Sequence, residues 1–324
     1  MKKVCIVGYG LVGPIHAAAV NKTESARVFA VCDIDPQRRK ACADTYGAIE
    51  YADFDEMLKD ERVDSVHICT PHYLHFEMVK KALAAGKRVV CEKPVTITED
   101  EFEELCKLDT ERKVAVVLQN RYNPSIEAFK SLVNSGEMGK VKTAKAIVTW
   151  CRGAKYYAHD EWRGKWATEG GGVLINQTIH TLDYFCYLIG KVSSVKAQMI
   201  NFSIPEIEVE DTMTAALSLE CGARGVFFAT NAYGDNTAPL FEIIFEKGTV
   251  RYEDGKLFVN ENLKAEDSKP QIGKMYWGRG HEMLFEKIYD KGEYFSLDDV
   301  SDTMKTVFAI YKSAKSGGES IVIE

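Results

Sequence analysis

The chain has no Cys-X-X-Cys pair and no His-rich tract. It has no apolar run near the ~18 residues a membrane-spanning helix needs, and no excess of basic side chains. Each absence removes a class. Nine cysteines without paired spacing argue against a zinc site or a disulfide framework. Cys5, Cys32, Cys69 and Cys91 sit in or at the end of short apolar runs, where a thiol acts as a small hydrophobe, as expected in a reducing cytoplasm. Lys and Arg number 41 against 48 Asp and Glu, a net charge of −7, so neither nucleic acid nor an anionic membrane surface is an expected partner. Internal repeats and low-complexity linkers are also missing. Lys2-Lys3, an apolar stretch and Ala17-Ala18-Ala19 imitate a secretory signal, but Gly8, Gly10, Gly13, Pro14 and His16 interrupt it.

What is present is enough for two domains: 324 residues, 46% of them apolar, at about 150 residues per domain. Up to about residue 120, short apolar runs alternate with helical patterns. Strands are expected at Val4–Val7, Arg27–Asp33, Val63–Thr70, Arg88–Cys91 and Val114–Leu118. Helices are expected through Val20, over Pro36–Tyr46, over Leu74–Ala85 and from Thr98, where Thr98 and Glu101 form a capping box. This alternation predicts βαβ units and a parallel sheet covered on both faces. Beyond residue 122 the period changes to two: Ala144, Ala146, Val148 and Trp150 alternate with more polar neighbours, as do Ala215, Leu217 and Leu219. Glu253-Asp254-Gly255-Lys256 signals a hairpin. The expected division is 1–121 and 122–324, with helices returning near Gly172–Ile189, His281–Asp290 and Leu297–Ala314.

Three constellations carry chemistry. Gly8-Tyr9-Gly10-Leu11-Val12-Gly13 follows a strand and opens a helix, and Asp33 ends the next strand 20 residues after Gly13. This spacing predicts a dinucleotide site, with the pyrophosphate at the helix N-terminus and Asp33 on the adenosine ribose. Asp33 would repel a 2′-phosphate, which favours NAD; Arg38 and Arg39 keep NADP open. Glu92-Lys93-Pro94 lies past the carboxyl end of a strand, where open parallel sheets bind ligands. Gly170-Gly171-Gly172 precedes a helix whose buried stripe is Ile175, Ile179, Leu182, Cys186 and Ile189. Asn176, His180 and Asp183 step beside it as a polar stripe, read either as a cleft wall or as a capped helix with a structural histidine. Tyr156, Tyr157, Trp162, Arg163 and Trp166 offer faces for a sugar or sugar acid, or else pack the domain interface.

Together, these motifs resemble the Gfo/Idh/MocA oxidoreductase family over essentially the whole chain. Thr70-Pro71 with His75, the crossover from Ser131 to Lys140, Trp162-Arg163-Gly164 and the stretch Tyr311 to Gly318 add to the resemblance. It implies a Rossmann domain with a doubly wound parallel sheet, and a C-terminal α/β domain built on a large, mostly antiparallel sheet. The last helix is expected to return to the first domain. The open face of the second sheet is expected to form a homodimer or homotetramer. The implied cofactor contacts are Gly8, Gly10, Leu11, Val12, Gly13, Asp33, Arg38, Thr70, Pro71, His75, Glu92 and Lys93. The implied substrate contacts are Lys93, Tyr157, Trp162, Arg163, Asn176 and His180. Asn176 falls where many members carry Asp, and an amide cannot exchange a proton at neutral pH, so its role shrinks to orienting a hydroxyl.

The expected reaction moves a hydride between nicotinamide and the hydroxyl or carbonyl carbon of a sugar, sugar acid or cyclitol. His180 is expected to act as the acid/base group, a role suited to an imidazole, while Lys93 binds the reacting oxygen and shares the proton; the opposite assignment stays open. The alternatives are a redox-assisted glycoside hydrolase that regenerates its NAD, and a non-catalytic sensor of cofactor or sugar. No metal is expected, since His72 and His75 have no evident third ligand.

Overall fold

In the computed structural model, which describes residues 1–269 and 277–324, the chain divides into two units by contact. The first contains residues 1–122 and the described part of 270–300; the second contains 123–269 and 301–324.

In the first unit, β1 (Lys2–Val7), β2 (Ala26–Cys32), β3 (Ile49–Tyr51), β4 (Ser65–Ile68), β5 (Arg88–Cys91) and β6 (Val114–Val116) form one sheet in the order β3-β2-β1-β4-β5-β6. Every neighbouring pair is parallel. The strands are apolar on both sides because helices cover both faces; Val4, Cys5 and Ile6 are fully buried. The helices are α1 (Gly13–Val20), α2 (Pro36–Tyr46), α3 (Phe54–Leu58), α4 (His75–Ala84) and α5 (Glu99–Leu108). Asp35 caps α2 by accepting from the Gln37 and Arg38 main chains, and the expected Thr98–Glu101 box starts α5.

The strand order reverses between β1 and β4, so the crevice at that switch point lies at the carboxyl ends that carry Gly8, Thr70 and Lys93.

In the second unit, a nine-stranded sheet has the order β14-β13-β12-β11-β7-β10-β9-β8-β15. Its members are β7 (Val141–Thr149), β8 (Val192–Ile200), β9 (Thr212–Leu219), β10 (Arg224–Thr230), β11 (Leu240–Phe245), β12 (Gly248–Glu253), β13 (Lys256–Val259), β14 (Asn262–Glu266) and β15 (Ile321–Val322). Only β7 and β10 pair in parallel. One face buries Ala144, Ala146, Val148, Phe227, Phe241 and Ile243. Phe129 of α6 (Pro124–Ser135), together with Tyr184 and Phe185, packs its ring on Phe241 of that face. The expected hairpin turns through Asp254 and Gly255, both left-handed, between β12 and β13. No helix among the described residues is long and apolar enough to cross a membrane.

One expectation needs correction. The segment that returns to the first unit precedes the last helix. The helix over Gly280–Glu286, widening into a π-helical turn over Lys287–Lys291, places Leu284, Phe285 and Ile288 in the core with Val4, Ile6, Val28 and Val31. The closing helix, Leu297–Lys315, belongs to the second unit from Ser301 onward. Its polar residues hold it there: Thr303 donates to Asp183, Tyr311 donates to Glu210, and Ser313 accepts from the Ala197 main chain. Phe285→Ala would leave a cavity under the first sheet; a loss of about 3–5 kcal/mol of unfolding free energy is expected in urea titrations, and a loss under 1 kcal/mol would show that this segment is dispensable to that core.

Candidate active site

β1 leads directly into the glycine turn. Gly8 has φ +84°, and a Cβ there would lie 2.8 Å from the Cys69 carbonyl oxygen. A Cβ on Gly13 would lie 2.3 Å from the Gly8 carbonyl oxygen, so the helix can start tight against the turn only with glycine. Around Gly10 the nearest atom to such a Cβ is Arg38 Nη1 at 3.7 Å, which leaves its open side approachable. Val12, the N-cap of α1, makes no side-chain cap; Pro14 has no N–H and the Ile15 and His16 N–H groups are taken by the Val12 carbonyl, so the main-chain N–H at Gly13 is what this start can offer an anion. Leu11 is exposed beside it. Asp33 directly follows β2 and is anchored: Oδ2 accepts from the Tyr9 N–H at 2.6 Å and Oδ1 from the Asp35 N–H at 2.8 Å. Arg38 stands exposed, 3.5 Å from Asp35. A narrow glycine turn, an uncapped helix start and a carboxylate at the next strand end fit a dinucleotide.

Lys93 lies half-buried on the turn after β5. Two neighbours expected to touch cofactor serve this turn from within. Glu92 is turned inward, with Oε1 2.9 Å from His16 Nε2 and 3.6 Å from His281 Nε2, while Oε2 accepts from the Lys93 N–H. Burial alone would raise its pKa; the histidine hydrogen bonds overcome this and hold it well below the ordinary value. Burial keeps His16 and His67 toward the neutral form. Since the carboxylate only accepts, His16 donates from Nε2 and presents Nδ1 as acceptor to His67 Nδ1 at 3.0 Å. His67 Nε2 lies 2.6 Å from the Tyr289 hydroxyl. His75 is fully buried between two carbonyls, Nδ1 on Pro94 at 2.7 Å and Nε2 on Thr70 at 2.8 Å. It lies between the Thr70-Pro71 loop and the Lys93 turn with both ring nitrogens against carbonyls; burial lowers its pKa, and the neutral ring donates to only one of the two. Thr70 directs its hydroxyl to Met78 Sδ, and Pro71 caps a short 3₁₀ turn.

In the second unit, the short helices α7 (Ala154–Ala158) and α8 (Trp166–Glu169) precede the triple glycine. The following helix begins as a π-helical turn over Val173–Thr178, continues as α9 (Ile179–Tyr184) and widens again over Phe185–Ile189. Thr178 Oγ1 donates to the Val173 carbonyl and supports the first wide turn. A Cβ on Gly172 would lie 2.0 Å from the Glu210 carbonyl oxygen. Glu210 is buried at this helix start, accepting from Gly172 N, Leu174 N and the Tyr311 hydroxyl; burial raises its pKa against those bonds.

Asn176 and His180 are both buried in this helix. Asn176 Nδ2 donates to Glu169 Oε1, and the Gly164 N–H donates to Glu169 Oε2, each at 2.5 Å. Burial pushes the Glu169 carboxyl up to about 7. Asp183 accepts from Thr303 at 2.6 Å and belongs to the helix's anchoring. Tyr157 is buried against Ile204, Ile207 and Val209 with its hydroxyl on Asn231 Nδ2, so it packs the fold and does not offer a sugar face. Arg163 donates to Asp160 and to the Tyr156 hydroxyl, with its guanidinium 4.6 Å from the Tyr156 and Trp162 ring centres. Sequence reasoning missed Glu169, Glu210, His16, His67 and His281. A capping glutamate 38 residues beyond Gly172 has no local spacing to betray it.

Glu92 generates a test with a defined sign. The folded protein holds it below the ordinary 4.5, so the carboxylate adds stability above that pH and loses it as the pH falls through the folded-state value. Glu92→Gln is expected to cost about 1–3 kcal/mol near neutrality. Urea midpoints should show this deficit narrowing as the pH drops below 4.5; a deficit independent of pH would contradict the inward ionised carboxylate.

Comparison with known proteins gives the same assignment. Residues 2–120 match the model of the GFO_IDH_MocA oxidoreductase family with an NAD-binding Rossmann fold, and residues 126–251 match that of the GFO/IDH/MocA C-terminal domain. The chain is 31% identical over 231 residues to the uncharacterized oxidoreductase YrbE of Bacillus subtilis (strain 168), a match covering 68% of this chain and 64% of that protein. It is 26% identical over 255 residues to the inositol 2-dehydrogenase of Rhizobium meliloti (strain 1021), covering 77% and 74%. The WlbA dehydrogenase from Bordetella pertussis, solved with NADH and UDP-GlcNAcA, superposes with a TM-score of 0.89 at 28% identity, covering 100% of this chain and 98% of that one. The chain belongs to the Gfo/Idh/MocA family of NAD-binding oxidoreductases.

Proposed function

We propose that the chain is an NAD-dependent dehydrogenase or reductase acting on a secondary hydroxyl, or the matching carbonyl, of a sugar, sugar acid or cyclitol. The observation that carries this reading is the glycine turn: its shape excludes a Cβ at positions 8 and 13, yet leaves Gly10 and the uncapped start of α1 open to a pyrophosphate. Gly8, Gly10, Leu11, Val12 and Gly13 would hold the phosphates, and Asp33 the ribose hydroxyls. Arg38 stands where a 2′-phosphate could be met, which leaves NADP as a secondary cofactor. When bound, the nicotinamide accepts or supplies the hydride. The relatives' names support the substrate class: an inositol 2-dehydrogenase, and a dehydrogenase solved with a nucleotide sugar acid.

The chain's own residues would do the rest. Lys93 would bind the reacting oxygen through its ammonium group and stabilise negative charge as the proton leaves. His180 would take that proton in oxidation and return it in reduction. The reverse division of roles is equally compatible with their chemistry. Asn176 has no exchangeable proton to offer at neutral pH and would orient a substrate hydroxyl. Trp162 and Arg163 would flank the sugar from the loop before the triple glycine. The buried free thiols Cys5, Cys32, Cys42 and Cys91 suit a reducing cytoplasm.

We further propose that the outward face of the nine-stranded sheet meets a second copy of the chain, as a homodimer or homotetramer. Val226, Ile244 and Ile147 are 58%, 43% and 36% exposed on adjacent strands of that face, opposite the buried row of Ala144, Ala146 and Val148. Val226→Lys is expected to shift the species seen by light scattering toward monomer; an unchanged mass would remove this face from consideration.

A spectrophotometric screen of sugars, sugar acids and inositols against NAD and NADP tests the main proposal. With the substrate found, Lys93→Ala and His180→Ala should each lower kcat by about 10²–10⁴-fold. Near-normal turnover in both variants would refute these roles.

A further inference from the structure

We propose that Glu169 is a positioning residue for the substrate: holding the Gly164 N–H on one carboxylate oxygen and the Asn176 amide on the other, it sets which side of that amide a substrate hydroxyl meets, and loss of its charge inverts that side. This rests on the reading of Asn176 as part of the substrate wall.

The argument is one of donors and acceptors. An ionised carboxylate only accepts, so Asn176 must turn Nδ2 toward Glu169 and Oδ1 away from it. The Gly164 N–H is a main-chain donor and cannot reverse its role, so Oε2 stays an acceptor in either charge state. An added proton therefore has one place to sit, on Oε1, facing Asn176. That O–H donates, Asn176 answers with Oδ1, and the amide rotates by half a turn. Glu169 is fully buried, so no solvent contact relieves this choice.

The surroundings put both forms within reach. Burial raises the Glu169 carboxyl to about 7, with the Asn176 and Gly164 hydrogen bonds and Arg163 pulling it down and Glu210 pushing it up. The phenols of Tyr156, Tyr157 and Tyr311 also face it. Above neutrality Asn176 offers a carbonyl oxygen, suited to a donating hydroxyl. Below neutrality it offers an N–H, suited to a carbonyl or carboxylate oxygen. The alcohol and its oxidised product thus prefer opposite states of one buried carboxyl.

Glu169→Gln locks the lower-pH arrangement. Its side-chain carbonyl must take the Gly164 N–H, so its NH₂ faces Asn176 and holds the amide inverted at every pH. For wild type, KM for an alcohol substrate should fall roughly ten-fold between about pH 6 and about pH 8. For Glu169→Gln it should stay high and flat, with kcat changed by less than about three-fold. Glu169→Asp should restore part of the pH dependence. The probes are myo-inositol, levoglucosan and UDP-GlcNAcA, read by NADH absorbance.

A second readout needs no turnover. In the full-length protein, the ¹⁵N resonance of the Asn176 side-chain amide, assigned by its loss in Asn176→Asp, should titrate with a midpoint near 7 in wild type. It should be pH-independent in Glu169→Gln. An Asn176 resonance insensitive to pH in wild type, or a pH-dependent KM retained by Glu169→Gln, overturns the proposal. Failure of all three probes counts against the dehydrogenase reading, while the NMR titration still decides the role of Glu169.

Discussion

The first unit depends on one buried charge. A carboxylate taken out of water costs several kcal/mol unless donors surround it. Glu92 meets that demand with His16 from α1, His281 from the returning helix and the main-chain N–H of Lys93. Three stretches remote in sequence are thereby pinned to one point beneath the turn that carries Lys93. His75 is buried nearby, its ring between the Thr70 and Pro94 carbonyls and donating to one of them. The turn expected to face the ligand is therefore held by inward-facing polar groups, and its outward side is left to Lys93.

The second unit solves a related problem differently. Its long helix contains two wide turns, and such irregularity recurs at functional positions because it re-aims side chains. Three anchors lie outside the helix they hold: Glu210 receives the helix start, Thr303 holds Asp183, and Glu169 holds Asn176. The polar stripe in the sequence is thus a mixture of helix anchors and residues available for a substrate, and spacing alone cannot separate them.

The legible parts share a physical cause. The βαβ alternation, the capping box at Thr98, the two-residue period around Ala144 and Ala215, and the glycine turn are local patterns. Each is set by the pleat, the helical turn or one close backbone approach. What stayed hidden depends on contacts between distant residues. His281 and Glu210 are unremarkable in their own stretches and acquire meaning only beside Glu92 and Gly172. Tyr157 was legible as an aromatic but not as a buried one, because the pocket of Ile204, Ile207 and Val209 that receives it comes from a later loop. The family resemblance points the closing helix to the first unit, and its own amphipathic pattern cannot correct this, since it states that the helix packs without stating on what.

The returning helix has a consequence for synthesis. Leu284, Phe285 and Ile288 complete a core whose other buried members all lie within the first 122 residues. As the chain leaves the ribosome, all six strands of the first sheet appear long before the helix that seals one of its faces. That face must wait, only partly covered by α1 and α2, through the emergence of well over a hundred residues that belong to another unit. The first unit to be started is thus completed only after most of the second has been made. A protein cut after Tyr122 would keep the glycine turn and every strand of its sheet, yet lack the lid of its own core and the imidazole of His281 that helps keep Glu92 charged.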